Sequence, residues 1–207
     1  GEIDFIYRGS DGSVCHCETA VKFYLFLPES NATGSHFIGP NAADNFERKV
    51  KRLMGHQLPL SVGRFPAVTR RIAFVKGRIF YHQSGSRPSV LPSELATDHA
   101  EGHWIRESEL DLLDVTGSSV RFRVAEKPFW LAPDTLEIDD ARLQTSGSIK
   151  SQLRKHFAER RTPQLVNVLS ESETCWQELN KVFVVSDQWP DTGLSTKQGT
   201  VVTPCLA

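Results

Sequence analysis

Two carboxylates, an imidazole and a lysine stand near the start of this 207-residue chain at positions that one β-hairpin would bring to a single surface. Ile3 to Tyr7 and Val14 to Leu27 are rich in β-branched and aromatic residues, and Gly9-Ser10-Asp11-Gly12-Ser13 between them is turn chemistry. A three-residue loop, Ser10-Asp11-Gly12, suits the spacing, with Gly12 in the left-handed position that closes a type I turn with a bulge. Pairing centred on Asp11 then sets Asp4 opposite Glu18, and side-chain alternation adds His16, Ala20 and Lys22 to the same face. A two-residue loop would shift the register and part the two carboxylates.

Like charges opposed on a sheet destabilise it, so Asp4 and Glu18 together invite a compensating cation. Hard oxygen ligands in this arrangement suit Mg²⁺ or Mn²⁺, completed by water and a substrate phosphate. Lys22 would then stabilise charge developing on a phosphoryl oxygen or help deprotonate an attacking water. The bland alternative is a solvated hairpin face on which Lys22 merely neutralises Glu18.

Further elements have to hold that hairpin in place. Asn41 can cap a helix in which Phe46, Val50 and Leu53 recur at helical spacing, with Glu47, Arg48, Lys51 and Arg52 on the solvated side. Gln57 continues that stripe by a turn and is expected to point at the sheet, where a buried amide bonded to the backbone at a helix end would account for it. Lys76-Gly77 reads as the turn of a second hairpin, Arg71 to Val75 with Arg78 to His82. Beyond it the pattern predicts a short helix over Glu107 to Leu113, a strand over Ser119 to Val124, a helix from a Ser148 cap to Arg161, and strands over Leu165 to Leu169 and Val182 to Val185. Mixed in this way, the elements predict an α/β domain over residues 1–186, followed by an irregular tail over 187–207. Val21 to Leu27, apolar on both faces apart from Lys22, is expected to lie centrally in the sheet.

Other groups have competing readings. His99 and His103, four apart within Asp98-His99-Ala100-Glu101-Gly102-His103, could share a metal on a helix, but Gly102 weakens a helix there. Two basic clusters, Arg48, Lys49, Lys51, Arg52 and Lys150, Arg154, Lys155, Arg160, Arg161, could meet phosphates or simply be solvated helix faces. Cys15 and Cys17 fall on the face away from Glu18 as small core residues, and the four tryptophans fit core and lid packing.

Composition sets the outer bounds. With 24 Lys plus Arg against 25 Asp plus Glu, the net charge of -1 gives no global pull toward nucleic acid, so such binding must use local patches. No run approaches the ~18 apolar residues of a membrane helix, and four cysteines are too few for a disulfide scaffold, which points to the reducing cytoplasm. The chain opens on Gly1 and at once on a strand pattern, so we expect native N-terminal elements ahead of it and a bare apolar surface where they would pack.

Gly1-Glu2-Ile3-Asp4-Phe5, a turn, and Glu18-Thr19-Ala20-Val21-Lys22 resemble the PD-(D/E)XK superfamily of restriction-endonuclease-like phosphodiesterases. More closely, the chain resembles an uncharacterised bacterial family assigned to that superfamily. The resemblance runs through Ala20-Val21-Lys22-Phe23-Tyr24-Leu25, Gly39-Pro40-Asn41, His56-Gln57-Leu58, His103-Trp104-Ile105-Arg106, Lys127-Pro128-Phe129-Trp130-Leu131 and Phe183 to Pro190. It implies a mixed sheet flanked by helices, a Mg²⁺ or Mn²⁺ cofactor and cleavage of nucleic-acid phosphodiesters. On this resemblance Asp4 and Glu18 hold the metal, Lys22 is the catalytic amine and Gln57 orients the amine or the water. One departure is plain: three residues separate Glu18 from Lys22 where the superfamily has one, and Ala20 stands at the lysine's usual place. The rival expectations are a nuclease-fold module that binds nucleic acid or protein without cutting, and a phosphodiesterase for another substrate.

Overall fold

The computed structural model describes residues 1–28, 36–114 and 119–190. Strands β1 (Phe5–Arg8) and β2 (Val14–Phe26) form the opening hairpin. Phe5 pairs with Cys17 and Arg8 with Val14, and Gly12 has φ +81°, so the three-residue loop and its register hold as the sequence predicts. Asp11 fixes the loop through Oδ1, which accepts from the Ser13 amide at 3.0 Å and the Ser13 hydroxyl at 2.6 Å.

After β3 (Phe37–Ile38), helix α1 (Phe46–Arg52) is capped by Asn45, whose Oδ1 accepts from the Arg48 amide at 2.8 Å. The cap is thus Asn45 rather than Asn41, because Asn45 alone has extended backbone directly before the first helical turn. One turn of π-helix (Leu53–Gln57) and a 3-10 turn (Leu58–Ser61) extend α1 and run back over the sheet.

The expected second hairpin is instead a single strand, β4 (Arg70–His82), parallel to β2 from Cys15↔Arg70 to Phe26↔Tyr81. Gly77 signals close approach, not a turn: a Cβ there would sit 1.6 Å from the Lys22 carbonyl oxygen. β5 (Glu101–Arg106) follows, also parallel, so His103 stands on a strand and does not share a helix face with His99. Alternate burial and ladder bonding to β4 and β9 win there over a helix that Gly102 would weaken.

A 3-10 segment (Glu107–Leu113), β6 (Val120–Val124), β7 (Thr135–Leu136), α2 (Ser146–Glu159, capped by Thr145 rather than Ser148), β8 (Gln164–Glu171) and β9 (Trp176–Val185) complete the order. The sheet runs β1-β2-β4-β5-β9-β8-β6, mixed parallel and antiparallel, with β3 on β2 and β7 on β9. The architecture is therefore α/β. Ile105, Val166, Val182 and Val184 pack under the Glu107–Leu113 segment and α2, while Leu25, Phe80, Trp104 and Phe183 form a second core with Trp189. Trp189 also donates to the Pro40 carbonyl at 2.8 Å, so residues 187–190 close onto the core; the expected tail beyond lies outside the described residues.

β2 is central at its ends only. β1 covers residues 14–17 and β3 covers 25–26, so among the described residues the stretch 18–24 is paired on the β4 side alone. The expectation of a central strand fails there, because β1 ends at Phe5 and the Asp4 carboxylate takes the next rung, accepting the Thr19 amide at 2.7 Å. Phe5, Tyr7, Val21 and Phe74 are exposed on the face away from Glu18.

Candidate functional site

Glu18 is the centre of the site, and it is fully buried. A carboxylate taken out of water must have every oxygen satisfied. Two neighbours supply this: His16 Nε2 lies 2.8 Å from Oε1, and the Gln57 amide donates to Oε2 at 2.8 Å. The Asp4 amide reaches Oε1 more loosely, at 3.4 Å. His16 shares Glu18's sheet face through the period-two alternation of β2, whereas Gln57 arrives from the π-turn, in which the Leu58 amide bonds Leu53 five residues back.

Behind His16 the network continues. Nδ1 lies 3.0 Å from Ser61 Oγ, which accepts from Arg71 Nε at 3.0 Å. Arg71 can only donate, and an ionised Glu18 can only accept, so His16 Nε2 donates to Glu18. Hydroxyl, imidazole and carboxylate stand in the order of a hydrolytic triad, but Ser61 and His16 have no exposed surface and Arg71 occupies the hydroxyl, so no substrate reaches it. This arm ties the 3-10 turn to β2.

The arm through Gln57 leads outward. Lys49 Nζ donates to Gln57 Oε1 at 3.1 Å, and Lys49 lines a groove of about 570 Å³ between α1 and strands β2 and β4. Lys22, Tyr24, Lys76 and Ala73 line it too, and Ala73 is the β4 partner of Glu18. Lys22 does not neutralise Glu18; it pairs with Asp44 at 2.6 Å, both about one third exposed. Tyr24 is buried with its hydroxyl unbonded, and burial together with the Asp44 charge pushes its pKa well above the ordinary phenol range, so it stays a neutral donor.

All four sequence candidates therefore lie around one feature: Glu18 and Gln57 bonded together, Asp4 across the hairpin from Glu18, Lys22 in the adjoining groove. Lys49, Asp44, His16 and Ser61 complete it. Lys49 could have been picked out in the sequence, since it sits three residues after Phe46 and eight before Gln57, on the border of the apolar stripe rather than opposite it.

The chain matches a family model, described as a domain of unknown function, DUF1853, over residues 1–185. It belongs to the DUF1853 family. No curated protein and no solved structure matches it. The match takes in the whole of the site just described in this DUF1853 domain, from Asp4 to Arg71.

By donor chemistry, the Asp4 and Glu18 carboxylates fit a hard divalent cation. Access is the difficulty: both Glu18 oxygens are engaged, and Asp4 Oδ2 accepts from both the amide and, at 3.1 Å, the hydroxyl of Thr19. Among the described residues no three His, Cys, Asp or Glu side chains converge as a metal-binding group. The two histidines of β5 part company, His99 to Tyr81 at 2.9 Å and His103 to Asn180. In the second basic cluster, Lys150 is held by Asp111 and Asp114. Among the described residues no helix is long and apolar enough to cross a membrane.

Proposed function

We propose that this domain is a nuclease-like phosphodiesterase of restriction-endonuclease-like fold, acting on nucleic acid with Mg²⁺ or Mn²⁺. The observation that carries the reading is the line Glu18–Gln57–Lys49, which links a buried carboxylate to a groove that also bears Lys22. A phosphodiester lying in that groove would have its charge met by the Lys22 and Lys49 ammonium groups, and a cation would reach the carboxylates by displacing a hydrogen bond to Glu18. Asp4 and Glu18 would hold that cation, which when bound supplies Lewis-acid polarisation and a more acidic water. Gln57 keeps Glu18 oriented, and Lys22 meets the developing charge on phosphate once the ligand competes with Asp44.

A second reading, a module that keeps the fold and binds without cutting, is favoured by the sealing of Glu18 between His16 and Gln57. One assay separates them: labelled single- and double-stranded DNA and RNA are incubated with the protein and millimolar Mg²⁺ or Mn²⁺, and Mn²⁺ binding is followed by calorimetry. The enzyme reading expects cleavage that Asp4→Ala and Glu18→Gln abolish and a Lys22→Ala protein that still binds Mn²⁺ but does not cut. Salt-sensitive binding without cleavage or Mn²⁺ uptake would establish the second reading instead.

A further inference from the structure

Resting on the phosphodiester reading, we propose that the groove beside Glu18 accepts an unpaired nucleotide, so that the ligand is single-stranded nucleic acid rather than duplex. The groove is polarised. Lys22 and Lys49 supply its cationic groups, while Glu94 and Asp98, with His99, come from the segment over residues 94–100 that also lines it. Between them the walls are apolar, with Met54 and Val75 about half exposed and Phe46 and Leu95 alongside. A nucleotide has the same division: an anionic phosphate, a flat apolar ring, and a base edge with N–H donors that acidic side chains accept.

Tyr24 adds an independent sign of a ligand. Tyr24 is only 3% exposed and lines the groove, and its hydroxyl makes no hydrogen bond of ordinary geometry although the Asp44 carboxylate lies near it. Buried hydroxyls without partners are rare, and this one stays protonated, so it can donate to a phosphate or sugar oxygen brought into the groove.

Depth selects the strand state. Glu18 has no exposed surface, so the scissile group must descend past the lysines toward Gln57 to come near it. A duplex presents its backbone on a wide cylinder with the bases locked inside, and can only lie across the rim. An unpaired nucleotide can turn its base into a groove of about 570 Å³ and carry its phosphate inward.

The test measures anisotropy of a labelled 12-nucleotide DNA strand and of the matching 12-base-pair duplex at equal salt, using the full chain, with cleavage of both followed in Mn²⁺. The single strand should bind at least about tenfold more tightly, and Tyr24→Phe should weaken single-strand binding by roughly tenfold while leaving the thermal unfolding midpoint unchanged or higher. Lys22→Ala and Lys49→Ala should each reduce the salt dependence of binding by about one released ion. Equal or tighter binding of duplex, or a Tyr24→Phe protein with unaltered affinity, overturns the single-strand inference while the phosphodiesterase reading stands on the cleavage arm. If neither DNA binds nor is cut, both fail.

Discussion

Among the described residues charge is buried in two clusters, and the two are built differently. Around Lys181 the circuit is closed: Nζ bonds Glu178 at 2.7 Å, Asn167 at 3.1 Å and the Ala132 carbonyl at 3.1 Å. Glu178 takes the Asp134 amide at 2.9 Å and faces Arg78, and Asp134 pairs with Arg123 and accepts from Asn167. Each of these charged groups has a partner of opposite charge inside the fold. Around Glu18 the circuit is open, since one arm runs inward through His16 to Ser61 while the other leaves through Gln57 and Lys49 for the groove. A satisfied buried ion network locks register; one that leads to a cavity with an unpaired hydroxyl is where a ligand has something left to bond.

The largest effect should come from breaking the closed circuit. Glu178→Ala leaves the Lys181 ammonium buried with only neutral partners, and we expect a loss of about 3–5 kcal/mol in urea unfolding, with a markedly smaller loss in a Glu178→Leu, Lys181→Met double variant. Equal losses in the two proteins would show that packing, not charge pairing, holds β9 to its neighbours.

Glu18→Gln should cost less, about 1–3 kcal/mol, by setting a second amide against the donating Gln57 and His16 groups. This reverses the expectation from like-charge repulsion, under which removing the carboxylate would be neutral or favourable, because Glu18 faces donors rather than the Asp4 carboxylate, which is turned to Thr19. Unchanged stability would mean that the Glu18 network is not formed in solution. Smaller again, Lys22→Ala should shift stability by under about 1 kcal/mol, as its partner Asp44 is solvent-screened, yet it should abolish cleavage. A stability loss as large as that of Glu18→Gln would assign Lys22 to the scaffold instead.

The smallest effect is a pH dependence outside both clusters. The hydrogen bond from Arg87 holds the Glu101 carboxyl below the ordinary carboxylate range. Its contribution is complete above the ordinary glutamate pKa and is lost as pH falls through the lowered folded value. Arg87→Ala should therefore cost a few tenths of a kcal/mol at neutral pH and flatten the acid limb of the stability curve, read from thermal midpoints between roughly pH 3 and pH 7. A cost that persists unchanged at the acid end would point to lost packing of Arg87 on the Tyr81 ring, 4.4 Å from its centroid.

Local chemistry determined the opening hairpin. The Asp11-Gly12 turn fixes the loop length, the loop length fixes the register, and the register puts Asp4 across from Glu18 and Lys22 on the face of Glu18. The Phe46, Val50, Leu53 stripe likewise carried Gln57 to the sheet, since a helix face is a short-range property. Only the tertiary structure decided the rest. Lys76-Gly77 has the composition of a turn, and it is straight strand because β2 runs alongside, so close that no side chain fits at Gly77. Lys22 has the spacing to reach Glu18 and turns to Asp44 instead, because β2 and α1 meet through contacts between residues 22 apart in sequence. The groove belongs to neither segment alone: it exists where α1, β4 and residues 94–100 close around β2, and non-local packing of this kind leaves no periodicity to read in the chain.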